Sequence, residues 1–337
     1  MNIFRKFASK KNSKGVIGES SDSDLHPRRL AEVRPCEWPH TQFMEEAGIL
    51  QEFTQYAANA GLTDFIADEC EQHQILTNIF VQSFTFLPRN NPPEVSFDLY
   101  AENHQIPLTE FCDICMIPSD GSLAEPRPAG FEAFYRTLIV GDERGVSATT
   151  AAGLHFPAVH HFALFITKCL LAREKVGALS SPDLAVLRRA LEGDNTYSLG
   201  AIVARRLHLN KSQGKIHGGI FATRLAAHFE VEIRPHDYPL TKVYLDRAAM
   251  DHHHFLAHDR PDIAIPYNLV YNIDTHDVIP LPAPALFDSV ARGGYRIMPA
   301  DIIAYWNAHA AAEAAEEPQQ WDEWMPAPQD PYYHPGY

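Results

Sequence analysis

Residues 250–259 read MDHHHFLAHD, placing four histidines inside ten positions, and such a cluster asks whether the chain holds a metal ion. A zinc site needs three or four ligands converging on one point. His254 and His258, four apart, would share one face of a helix. The residues between them are Phe255, Leu256 and Ala257, whereas a zinc protease reads His-Glu-x-x-His, so the general-base carboxylate is missing. His252, His253 and His254 are consecutive and point in different directions in any regular structure. The cluster is therefore expected to be a polar loop or helix edge, and no metal site is assigned to it. Zinc lost on His254→Ala or His258→Ala would reverse that reading.

Cys112 and Cys115 form a Cys-x-x-Cys pair with no second pair at knuckle spacing. A redox pair would open a helix after a central strand. Here Phe111, Ile114 and Met116 surround it, so two packed core cysteines are expected. The stretch KSQGKIHGG, residues 211–219, has glycines and lysines, but Ile216 follows Lys215 where a phosphate loop needs a hydroxyl. There is no Gly-x-Ser-x-Gly elbow, and IDTH departs from Asp-Thr-Gly at its last residue. These absences lead to an expectation of no catalytic residue, no cofactor and no small-molecule substrate.

One electrostatic feature stands out. From 188 to 224 the chain carries Arg188, Arg189, Arg205, Arg206, Lys211, Lys215 and Arg224 against only Glu192 and Asp194, in a protein whose formal charge is −15. Such a segment could set several cations along neighbouring helices for a salt-sensitive phosphate contact. Ordinary solvated helix faces would give the same count, so these seven residues are a candidate nucleic-acid-binding set rather than an assigned one.

The elements that must position these groups read as mainly helical with small β-hairpins. Phe43, Ala47, Leu50, Phe53 and Ala57 have the spacing of one helix face, with Gly61 as its C-terminal cap. HQILTNIFVQSFTFLP is a second helix or an extended run ending at Pro88. Val95, Phe97 and Leu99 alternate inward, the chain turns at Glu102, Asn103 and His104, and Ile106 and Leu108 return, which describes a hairpin. A helix capped by Thr109 then runs towards Pro118.

Residues 156–229 read as a helical array. Pro157 opens a helix with Val159, Phe162, Ala163, Ile166 and Leu170 on a broad apolar face. Ser181 caps the next, with Pro182 first, Asp183 in the first turn and Gly193 as its stop. Ser198 starts a third, burying Leu199, Ile202, Val203 and Leu207, and Phe221, Leu225 and Phe229 line a fourth. A hairpin around Asp274-Thr275-His276 and a last helix from Pro299 complete the pattern.

The 337 residues are 45% hydrophobic, which excludes a chain disordered throughout, and −15 opposes general coating of nucleic acid or lipid. Five cysteines without a disulfide framework or a secretory signal imply reduced thiols in the cytoplasm or nucleus, not a secreted protein. The most apolar stretch, GLHFPAVHHFALFITKCLLA, is interrupted by His155, His160, His161 and Lys168, so it fits a buried helix of a soluble protein rather than a membrane span. Three regions are expected: a disordered basic then acidic arm at 1–35, one helical domain at 36–310, and an acidic, Pro- and aromatic-rich flexible tail at 311–337.

Four stretches together carry a family likeness: WPHTQFMEEAGILQEFTQYAANAGLTDFI, VSFDLYAENHQIPLTEFCDICMIP, SLGAIVARRLHLN and GGIFATRLAAHFEVEIRP. They resemble the first-frame protein of Athila-like, gypsy-type plant retrotransposons of the grass type, over roughly residues 36–310. The hairpin, helix and proline element is also similar to one in the plant mobile domain, a transposon-derived module of host nuclear proteins. The resemblance implies a non-enzymatic, capsid-precursor-like structural protein that self-associates and binds element RNA, and it supplies no catalytic residues. The chain departs from many capsid precursors in lacking a Cys-His knuckle.

Overall fold

The computed structural model describes residues 32–139, 154, 156–174, 177–256, 269–272 and 278–282, with Ala304 and Ala308. Two short strands come first among the described residues, β1 (Glu32–Val33) and β2 (Glu37–Pro39), so regular structure is present ahead of the expected boundary at 36. The apolar stripe read as one helix is then split into α1 (Thr41–Glu46) and α2 (Leu50–Ala60). The break is at Gly48, whose φ of +68° is a left-handed conformation that suits glycine, so the stripe stays buried while the axis turns. Gly61, at φ +73°, closes α2 as expected.

After α3 (Thr63–Ala67) comes α4 (Gln74–Ser83), and β3 (Thr85–Leu87) follows directly. The HQILTNIFVQSFTFLP run is thus both a helix and a strand. β4 (Glu94–Leu99) and β5 (Glu102–Pro107) complete a three-stranded antiparallel sheet in the order β3-β4-β5. Leu99 pairs with Glu102, so the hairpin turns at Tyr100 and Ala101, and Glu102 to His104 already belong to the returning strand. Tyr100 takes φ +54° there, a conformation that the alternating pattern did not disclose. α5 (Leu108–Cys115) starts at once, with Pro107 rather than Thr109 in the cap position, and ends at left-handed Met116 before Pro118.

α6 (Glu132–Leu138) follows a short 3-10 turn, and α7 (Pro157–Phe165) begins with its proline as expected. Every residue of α7 is buried, so its apolar surface is the whole circumference and not one face. The helix continues as a π-helical turn over Ile166–Leu170. α8 (Ser181–Glu192) is capped one residue earlier than expected: the Asp183 carboxylate accepts the Ser180 N–H and hydroxyl, each at 2.6 Å. α9 (Leu199–Asn210), capped by Ser198, leads through β6 (Lys215–Ile216) to α10 (Gly219–His228). β7 (Val243–Leu245), α11 (Arg247–His252) and the antiparallel pair β8 (Leu269–Asn272) and β9 (Val278–Leu281) finish the described chain.

The structure is therefore mainly α with small sheets, and one hydrophobic core gathers buried residues from Val33 to Leu281. Two parallel pairings, β1 with β6 and β2 with β7, tie the start of the chain to its later half. Of the final helix expected from Pro299, Ala304 and Ala308 are helical and the rest lies outside the described residues, as do the arm at 1–31 and the tail at 311–337.

Candidate nucleic-acid interface and histidine cluster

The seven basic residues do not form one solvent-facing set. Arg224 of α10 is buried: its guanidinium donates to the carbonyls of Cys115 (3.0 Å), Phe65 (2.8 Å) and Asp68 (2.6 Å) and to the Asp68 carboxylate (3.1 Å). It also lies 4.5 Å above the Phe65 ring. Arg189 of α8 is buried as well, donating to the Ala60 carbonyl at 3.1 Å and the Asp120 carboxylate at 2.7 Å. Both hold the ends of the helices around α2 and α3 in place. A residue whose donors are spent on carbonyls inside the fold cannot meet a phosphate without unfolding, and these two leave the candidate set.

The other five are more accessible. Arg205 is half-buried, bonds the Leu123 carbonyl and sits 5.5 Å over the Phe86 ring. Arg206 is half-buried beside Arg173, and burial followed by that like charge holds its pKa below the ordinary value. Arg188 is shared between Glu192 (2.8 Å) and Asp194 (3.0 Å), and Lys215 pairs with Glu174 at 3.0 Å. Lys211 is exposed at the end of α9. The local charge excess read along the sequence is thus partly offset in three dimensions, by Asp120 at Arg189, Glu174 at Lys215 and Asp68 at Arg224.

The histidine cluster lies at the end of α11, which Asp246 caps by accepting the Ala249 N–H at 2.9 Å. His252 ends the helix and His254 takes φ +59°, so the helical turn that would align His254 with His258 is interrupted. His258 itself lies outside the described residues. This is the expected helix edge. Among the described residues no group of three or more His, Cys, Asp or Glu side chains is arranged to hold a metal ion.

His253 does take part in a cluster that the local pattern did not reveal. Its Nε2 is 3.4 Å from one oxygen of Glu37 on β2, whose other oxygen is 3.1 Å from Lys168 Nζ. Lys168 stands on the π-helical turn and also donates to the Glu174 carbonyl at 3.3 Å. Burial pushes the Glu37 carboxyl up, but the His253 hydrogen bond and the Lys168 charge outweigh it and hold the group below its ordinary value. The signal available in the sequence was a single lysine inside an apolar run.

Cys112 and Cys115 lie on α5, both fully buried. Burial, with Asp113 adding to it, pushes the Cys112 thiol up to about 12, and Cys115 is driven well above its ordinary value by burial. α9 crosses here with Gly200 against the Cys112 side chain, so the pair is packing. In KSQGKIHGG, Lys215 and Ile216 form β6, and Gly218 at φ +122° turns the chain into α10. A second pair overlooked as chemistry is His160 and His161, both buried in α7 within the most apolar stretch of the chain.

With this geometry in hand, comparison with models of known families, with functionally described proteins and with solved structures finds none that matches the chain. No described helix is long and apolar enough to cross a membrane.

Proposed function

We propose that this chain is a non-enzymatic, retrotransposon-encoded structural protein of capsid-precursor type that self-associates and binds element RNA. The observation that carries the reading is the resemblance of the four stretches quoted above to the first-frame protein of Athila-like elements. The fold supports it in one respect: those stretches supply β2 to α3, β4 to α5, α9 and α10, which pack on one another around the common core. The likeness thus belongs to a connected framework and not to scattered surface segments. On this reading the protein acts inside the cell, in cytoplasm or nucleus, and RNA contact falls to Arg188, Arg205, Arg206, Lys211 and Lys215.

The alternative is a transposon-derived nuclear interaction module of the mobile-domain kind. It draws on the hairpin, helix and proline element, in which β5 runs into α5 without a linker and the Leu108 N–H donates to the Pro93 carbonyl at 2.8 Å. A spliced host gene without flanking long terminal repeats favours this alternative.

Native mass by light scattering over a concentration series, with and without nuclease, separates the two. A defined oligomer, or large particles that nuclease dissolves, supports the capsid-like reading, and a monomer in both samples overturns it. The doubly reversed variant Arg188→Glu with Lys211→Glu is expected to weaken RNA retention and flatten its salt dependence.

A further inference from the structure

His160 and His161 are 1% and 0% exposed, and each reaches across to the segment that begins at α11. His160 Nδ1 is 3.2 Å from the Tyr271 hydroxyl of β8, and that hydroxyl donates its proton to the Leu154 carbonyl at 2.5 Å. The phenol oxygen must therefore accept, and His160 carries its proton on Nδ1. His161 Nδ1 is 3.2 Å from the Met250 thioether, which has no proton to give, so this ring too is an Nδ1–H tautomer. The next proton in either ring goes to Nε2, and for His161 that atom is buried with no hydrogen-bond partner.

Among the described residues, the charged groups that bear on the pair do not compensate such a charge. On the α1 and α2 side the neighbours of His161 are the Phe43 and Phe53 rings, with centroids 5.6 and 5.5 Å away. Phe255, just after α11, lies 5.0 Å from His160 and 6.1 Å from His161. The titratable groups that bear on the rings add positive charge: His161 and His253 on His160, and His40 on His161. Glu37 of β2 is already divided between Lys168 of the π-helical turn and His253. The ionised groups of α8 are engaged elsewhere, Asp183 with Arg173, Arg188 with Glu192 and Arg189 with Asp120. From α2, the Glu52 carboxylate bears on Tyr56, whose hydroxyl it helps to raise. Burial, ahead of these like charges, pushes both imidazoles down to about 3.

We infer that His160 and His161 form an acid-operated latch: protonation releases α11 and the β8–β9 pair from α7 before the rest of the fold gives way. The direction follows from where the partners lie. Met250, Phe255 and Tyr271 all belong to the later segment, so moving that segment gives the two Nε2 atoms access to water while the α1 and α2 side stays packed. A free histidine binds its proton near pH 6.5, so each ring held neutral favours the open form by ~30-fold at pH 5 relative to neutral pH.

Hydrogen–deuterium exchange of the full-length protein, read by mass spectrometry at pH 7.5, 6.0 and 5.0 and corrected for intrinsic exchange, tests this. Opening of residues 243–256, 269–272 and 278–281 is expected to rise by ~30-fold or more on acidification, against less than roughly 3-fold in α8. Equal loss of protection in α8, or no rise in the later segment, overturns the latch. In the double variant His160→Gln with His161→Met the later segment is expected to stay protected at pH 5, and opening at the wild-type pH overturns the assignment to these residues. If that variant does not fold, the wild-type series and the single variant His161→Met still decide.

Discussion

Asp237, on the loop after α10, caps helix α4 from 161 residues away: one carboxylate oxygen accepts the Leu76 N–H at 2.7 Å. The other accepts the Ile75 N–H at 2.7 Å, and the Tyr100 hydroxyl donates to the carboxylate at 2.8 Å. The residue in the local cap position, His73, provides no side-chain bond to the helix and instead places its ring 3.1 Å from the Asp237 carbonyl. Leu240 N–H donates to the Gln72 carbonyl at 2.7 Å, sewing the same loop to the same helix start. A first turn left with orphan donors is thus satisfied by tertiary contact.

Asp237→Ala strips acceptors from two backbone N–H groups and a phenol, and is expected to lower stability by about 2–4 kcal/mol. Asp237→Asn keeps one acceptor oxygen and should lose less. The midpoint of urea unfolding measures both, and a loss below ~0.5 kcal/mol for Asp237→Ala would show that the cap contributes nothing.

Gly200 and Cys112 should be coupled. A Cβ on Gly200 would collide with the Cys112 sulfur. Gly200→Ala is expected to destabilise by about 1–3 kcal/mol through overpacking, and Cys112→Ala by its lost burial. Combined, the two should be less damaging than their sum, because the second removes the atom with which the first collides. A double-mutant cycle in urea checks the sign, and simple additivity would refute the contact.

Arg224 and Arg188 look alike in sequence and should behave oppositely. Removing Arg224 takes the guanidinium donor from the buried carbonyls of Phe65 and Cys115 and the part-buried carbonyl of Asp68, so Arg224→Met is expected to lose about 2–4 kcal/mol. Arg188 is an exposed partner of Glu192 and Asp194, and Arg188→Ala should change stability by no more than ~1 kcal/mol. Thermal unfolding of the two variants side by side separates a structural cation from a surface one.

Glu37 sets a pH dependence with a definite sign. Its folded carboxyl is held below the ordinary value of 4.5, so the stability it contributes is present above that pH and is lost as acid protonates it. In Lys168→Met with His253→Gln, burial is left unopposed and the carboxyl should rise instead. The variant's stability is then expected to fall less than that of the parent between pH 5 and 3, measured as the difference in urea midpoints, and parallel curves would exclude the role.

Much of the helical layout was legible from local spacing. Gly61 and Gly193 stop their helices, Pro157 opens α7 and Ser198 caps α9, because each acts on backbone within a turn of itself. The inward alternation of Val95, Phe97 and Leu99 likewise needs no partner to be read. Where two local solutions compete, spacing failed: the stripe through Phe43 and Phe53 fits one helix or two, and the break falls at Gly48, which is left-handed and packed against Pro282.

The candidate site was less legible, and the reason is physical. A charge count along residues 188–224 assigns seven cations to one segment, but a cation's availability depends on which acceptors the fold brings to it. For Arg224 these come from Phe65, Asp68 and Cys115, more than a hundred residues away, and for Arg189 from Ala60 and Asp120. The same holds for Glu37 between Lys168 and His253. Helix type, caps and strand alternation follow from interactions within a few residues and so are written in the order of the chain. Which charges are spent, which histidines are sealed from water and which helix ends are capped from afar are set by packing between distant segments, and only the tertiary structure decided them.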